Sequence, residues 1–82
     1  MVRLPRDLSG RDLARALRHY GYAVTRETGS HMRLTTQREG EHHVTIPDHT
    51  SLRIGTLAGI LADVAEHLKI ERGALATELF ER

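Results

Sequence analysis

Apolar positions change rhythm along this chain, and the changes mark out its elements. Leu13, Leu17 and Tyr20 are spaced by four and then three, the stripe of an amphipathic helix. Ser9 stands at the N-cap position, Asp12 three residues on makes an acidic variant of a capping box, and Gly21 supplies the stop. Tyr22–Thr28 is β-branched and aromatic in content and is closed by Gly29-Ser30, so it reads as a strand. His31–Thr36 alternates strictly, with Met32 and Leu34 on one face and His31, Arg33 and Thr35 on the other. Gln37–Glu41 contains Gly40 and reads as a hairpin loop. His42–Ile46 forms the third strand, which Pro47 ends. After a polar loop over Pro47–Arg53 the helical rhythm returns from Ile54 to Leu68, through Ile54, Leu57, Ala58, Leu61, Val64, Ala65 and Leu68. Glu71 to Glu81 predicts a third, short helix with Leu75, Leu79 and Phe80 facing inward.

The expected fold class is α+β, in the order α-β-β-β-α with an additional C-terminal helix. Met32 and Leu34 must share a buried face with Val44 and Ile46, which sets the strand register. Leu34 then pairs with Val44 and Met32 with Ile46, across a five-residue loop. The same register places Arg33 opposite Thr45, Thr35 opposite His43, and His31 beside Pro47. Helices cover one face of the three-stranded sheet. The other face, with Arg33, Thr35, His43 and Thr45, is left open and polar.

Composition narrows the function. The chain has 82 residues, room for one small domain spanning 1–82, with a core of about 9–68 and a helical extension of about 70–82. It contains no Cys, which excludes disulfides, thiolate metal sites and Cys nucleophiles. No apolar run is long enough for a membrane span and no signal-peptide core is visible, so no membrane role is expected. Only Tyr20, Tyr22 and Phe80 are aromatic, too few for a base-stacking platform. The formal net charge of +1 conceals an asymmetry. Residues 1–38 carry 8 Arg against 3 acids, whereas residues 39–82 carry 4 basic and 8 acidic residues. On the first helix Arg11, Arg15 and Arg18 form a basic ridge, either a solvated face or a set of phosphate contacts.

Among the histidines, His31 stands out because a tight turn presents it at the sheet edge on a rigid strand. His42 and His43 point to opposite faces and cannot readily share a ligand. His43 lies about 13 Å from the His31 level, too far for direct cooperation. His49, two residues past Pro47, is placed to approach His31. With Asp48 the two histidines lack any recognised metal spacing, and no metal or cofactor is assigned. His19 and His67 read as surface positions. Gly55-Thr56 opens the second helix with free backbone N–H groups, an ordinary helix start or a phosphate seat.

Three segments carry a family likeness. Gly29-Ser30-His31, then Thr45-Ile46-Pro47-Asp48-His49, then Gly55-Thr56-Leu57 with Ile60-Leu61, occur in order and at matching spacing. Together with the preceding helix and Gly21-Tyr22, they resemble the HicA family of bacterial toxin–antitoxin toxins, over roughly residues 9 to 68. The resemblance implies a core similar to double-stranded RNA-binding domains, ribosome-independent cleavage of mRNA in the cytoplasm, and inhibition by a HicB-type antitoxin. It places the functional histidine at His31, positioned by Gly29 and Ser30. A histidine suits the task, since its neutral-range titration lets it take the 2′-OH proton without a metal. His49 is the auxiliary candidate for protonating the leaving oxygen. Arg11, Arg15, Arg18 and Arg33 are the candidate RNA contacts, reading backbone rather than bases. Two other readings accompany this one: a non-catalytic RNA-binding module, and an inactive toxin that retains only antitoxin binding.

Overall fold

In a computed structural model of the protein, which describes residues 4–81, the elements follow the predicted order. Helix α1 runs over Gly10–Leu17 and continues as a 3-10 turn over Arg18–Tyr20. Strands β1 (Ala23–Thr28), β2 (His31–Thr36) and β3 (His42–Pro47) form an antiparallel meander with β2 at its centre. Helices α2 (Ile54–Leu68) and α3 (Arg72–Phe80) follow. The last residue of the expected C-terminal extension, Arg82, lies outside the described residues.

The local signals act as their chemistry dictates. The Ser9 hydroxyl accepts from the Asp12 N–H at 3.0 Å, capping α1. The Asp12 carboxylate, expected to reach back to the cap, pairs with Arg15 instead. Gly21 ends the 3-10 turn with φ +82°, a left-handed conformation that glycine adopts without strain. The β2–β3 register is the one that burial demands: Leu34 opposite Val44, Met32 opposite Ile46, Arg33 opposite Thr45, Thr35 opposite His43. At the far end of the chain Glu71 caps α3 by accepting from the Gly73 and Ala74 N–H groups. Those two donors hold its carboxyl below the usual range.

The core lies between one sheet face and the helices. Met32, Leu34, Val44 and Ile46 meet Leu13 and Leu17 of α1 and Leu57, Leu61 and Val64 of α2. Helix α3 closes the open side with Leu75, Ala76 and Leu79, so it is part of the core packing. Three expectations change. Ile54 is 46% exposed, and Ile60 takes its place in the buried stripe of α2. The loop before α2 is not wholly polar, since Leu52 is buried and its N–H bonds to the Leu8 carbonyl. His31 lies at the end of the central strand, flanked by Thr28 and Pro47, rather than at a lateral edge.

One close approach fixes α1 on the sheet. The Gly10 N–H donates to the His49 carbonyl at 2.9 Å. A Cβ on Gly10 would stand 2.0 Å from the Pro47 carbonyl oxygen, so no larger residue fits without backbone movement. We therefore predict that Gly10→Ala destabilises the protein by about 2–3 kcal/mol, through overpacking against backbone. Gly59 lies in the middle of α2 with open space where a Cβ would be. Gly59→Ala should stabilise by up to about 1 kcal/mol. Denaturant melts of the two variants beside the parent check both signs.

Candidate functional site

His31 opens β2 directly after the Gly29-Ser30 turn, in which Gly29 has a φ of +54°. Gly29 thus sets the direction in which the strand leaves. The chain leaving β3 is stapled to this turn, because the Asp48 N–H donates to the Ser30 carbonyl at 2.6 Å. Gly10 holds the next residue, His49, through its carbonyl. The backbone of His49 is therefore fixed beside the His31 turn, while both imidazoles remain exposed.

Arg11 ties the surroundings together. Its Nη2 donates to Asp48 at 2.9 Å and to Glu27 at 3.0 Å, bridging α1, the β3 exit and the end of β1. The hydrogen bond and charge of Asp48, followed by those of Glu27, raise its pKa further above the arginine range, so it is a permanent cation here. Arg11 is thus already occupied by two carboxylates, and Arg15 by Asp12. Arg18 has no ion-pair partner among the described residues. The three do line one groove of about 360 Å³ between α1 and β1, floored by Ala14, Ala23, Val24 and Met32.

Arg33 belongs to a different surface. It projects from the sheet face opposite the helices, the face that His31 and Thr35 share by alternation. The far end of that face is closed by its own hydrogen bonds. Thr25 and Thr35 hydroxyls lie 2.8 Å apart, Thr35 lies 2.7 Å from His43 Nδ1, and His43 Nε2 lies 2.9 Å from Glu41. Among the described residues, the end nearer His31 has no such ladder.

A second cluster of titratable groups lies on the helix side, and single-residue reasoning could not assemble it. His42 lies between the Tyr22 hydroxyl (2.8 Å) and Asp63 (3.1 Å). Its ring stacks on His67 with centroids 4.2 Å apart. Facing Asp63, His42 Nε2 carries the proton, and Nδ1 accepts from the phenol. His67, expected at the surface, is half-buried and its Nε2–H faces the Arg38 and Gly40 carbonyls at 2.9 and 3.0 Å. The cluster pins the β2–β3 loop to α2. It stands at the opposite end of the sheet from His31, since His42 pairs with Thr36. Among the described residues no three His, Asp or Glu side chains converge as metal ligands would.

Burial, reinforced by the charge of Asp63, pushes the Tyr22 hydroxyl up to about 12 from an ordinary value of 10. Below pH 10 both folded and unfolded chains keep that proton. Between pH 10 and 12 the unfolded chain loses it first, so stability falls as pH rises through this window. The loss expected by pH 12 is about 2–3 kcal/mol. Denaturant melts from pH 9 to 12 should show this limb, and Tyr22→Phe should flatten it.

The arrangement of these elements has a known counterpart at the level of sequence. A family model described as the HicA toxin of bacterial toxin–antitoxin systems matches residues 10–65, more than half of the chain. The match begins at the glycine pressed against Pro47 and spans all three strands and most of α2. No curated protein and no solved structure matches the chain.

Proposed function

The chain belongs to the HicA family of toxins from bacterial toxin–antitoxin systems, and on that premise we propose that it is an endoribonuclease cleaving mRNA with His31 as the base. The observation that carries the proposal is the anchored turn. A catalytic histidine needs a fixed backbone and an accessible ring, and His31 has both.

In the proposed reaction the His31 imidazole removes the proton from a ribose 2′-OH. The freed oxygen forms a bond to the adjacent phosphorus as the bond from phosphorus to the 5′-oxygen breaks. The products are a 2′,3′-cyclic phosphate and a 5′-hydroxyl. A proton must reach the departing 5′-oxygen, and His49 is the residue proposed to give it. Gly29 and Ser30 set the direction in which His31 points. Arg11, Arg15, Arg18 and Arg33 are the proposed RNA contacts, with Arg18 and Arg33 free of internal ion pairs among the described residues. Arg11 reaches phosphate by exchanging one of its two carboxylate partners, Asp48 or Glu27, for it. The route needs no metal or other cofactor.

A toxin of this kind implies an antitoxin partner, and we propose one of HicB type. The chain 1–82 acts as one HicA-like domain in the cytoplasm, where mRNA is found. No helix of the described residues is long and apolar enough to cross a membrane.

The experiment is cleavage of RNA by purified wild type and His31→Ala. Loss of a general base should lower the rate about 10²–10⁴-fold. Activity should persist in excess EDTA. Equal cutting by both proteins would remove His31 from the role. RNA binding with no cutting by wild type would favour a non-catalytic RNA-binding module. A co-purifying small protein with neither property would mark a toxin reduced to antitoxin binding.

A further inference from the structure

On the open face of the sheet, two arginines stand opposite one another. The register sets Arg26 directly opposite Arg33 across the β1–β2 ladder. Both are exposed, and among the described residues neither guanidinium has a hydrogen-bond or ion-pair partner. Like charges placed opposite one another weaken a sheet. The nearby acids are committed elsewhere, Glu41 to His43 and Glu27 to Arg11.

One extra residue creates this juxtaposition. Val24 pairs with Leu34 on the core side. Strict alternation from Val24 would turn Arg26 inward and Glu27 outward. The ladder instead shifts between Val24 and Arg26, leaving Thr25 as a bulge. Beyond it Arg26 pairs with Arg33, Glu27 with Met32, and Thr28 with His31. The bulge thus delivers the cation to the His31 face and the carboxylate to the helix side, where it meets Arg11. Arg26 escapes a sequence reading for this reason.

We infer that Arg26 and Arg33 form a clamp for the phosphodiester backbone of single-stranded RNA, leading it across the open sheet face to His31. The inference rests on the RNA-cleaving reading above. Guanidinium forks match phosphate oxygens in planar, bidentate geometry, and an anion between the two relieves their repulsion. His31 is two residues from Arg33 on the same strand face, about 7 Å away. A backbone held by the pair therefore presents a neighbouring phosphate to the histidine. On this route the α1 ridge is secondary, because Arg11 and Arg15 are internally paired.

The test is fluorescence-anisotropy binding of a single-stranded 2′-O-methyl RNA oligonucleotide, which lacks the attacking hydroxyl, at about 50 to 200 mM salt. Wild type is compared with Arg26→Gln, Arg33→Gln, Arg15→Gln and Arg18→Gln, each also melted without RNA. Arg26→Gln and Arg33→Gln should each weaken binding about tenfold. Each should also flatten the slope of log affinity against log salt by about 0.7 for every phosphate that the variant no longer neutralises. Both should melt higher than wild type without RNA, a gain that a merely structural role would not produce. Arg15→Gln and Arg18→Gln, on the secondary ridge, should each lose less affinity than either clamp variant. Losses confined to the α1 variants, or unchanged binding and slope in Arg26→Gln and Arg33→Gln, would overturn the clamp alone. Wild type that binds no RNA would overturn the clamp together with the reading beneath it. Wild type that binds RNA but does not cut an unmodified oligonucleotide, with both clamp variants weakened, would remove the enzyme and keep the clamp.

Discussion

The bulge at Thr25 decides how charge is distributed over this small domain. By adding one residue to β1 it reverses the facing of everything after it. Glu27 goes to the helix side and, with Asp48, takes hold of Arg11. That bridge joins α1, the end of β1 and the exit from β3 around the His31 turn. Arg26 goes to the open side and stands opposite Arg33. A β1 without the bulge would lose the tie and the exposed pair together.

The remainder of the architecture holds the two ends of the sheet in different ways. At the His31 end the fastening is mostly backbone: Asp48 to Ser30, Gly10 to His49, and the tight approach of Gly10 to Pro47. The His31 and His49 side chains there are left exposed. At the other end the fastening is by side chains. Tyr22, His42, Asp63 and His67 satisfy one another beneath the sheet, and Thr25, Thr35, His43 and Glu41 do so above it. Satisfied polar networks rigidify, and unpaired cations attract anions. The contrast between the ends is what supports the proposal that His31 is the functional residue.

Much of this was legible from residue pattern. Strict alternation in His31–Thr36 and the paired apolar residues of the third strand specify the β2–β3 register, because a slip of one residue would bury His31 and Arg33. The bounds of α2 follow from its stripe. The β1 register was not legible, since no residue of Ala23–Thr28 is buried and no apolar face disciplines the pairing. The signal was an Arg at a position that simple alternation turns toward the core. Gly10 carries no local signal of its role, because its constraint comes from the Pro47 carbonyl, far away in sequence. The His42–His67 stack likewise joins residues that only the fold brings together. Local pattern reports which face a side chain takes, and long-range contacts decide what waits for it there.

The proposed reaction is activation of a ribose hydroxyl, on RNA held against the open sheet face, by a histidine at the head of β2. Its most direct test is the chemistry of the cut ends, read by end-group analysis of RNA fragments from the purified protein. The expected fragments end in a 2′,3′-cyclic phosphate, or the monophosphate formed when it opens, with a 5′-hydroxyl on the other side. Fragments with a 3′-hydroxyl and a 5′-phosphate would contradict it, because water rather than the 2′-oxygen would then have been the nucleophile.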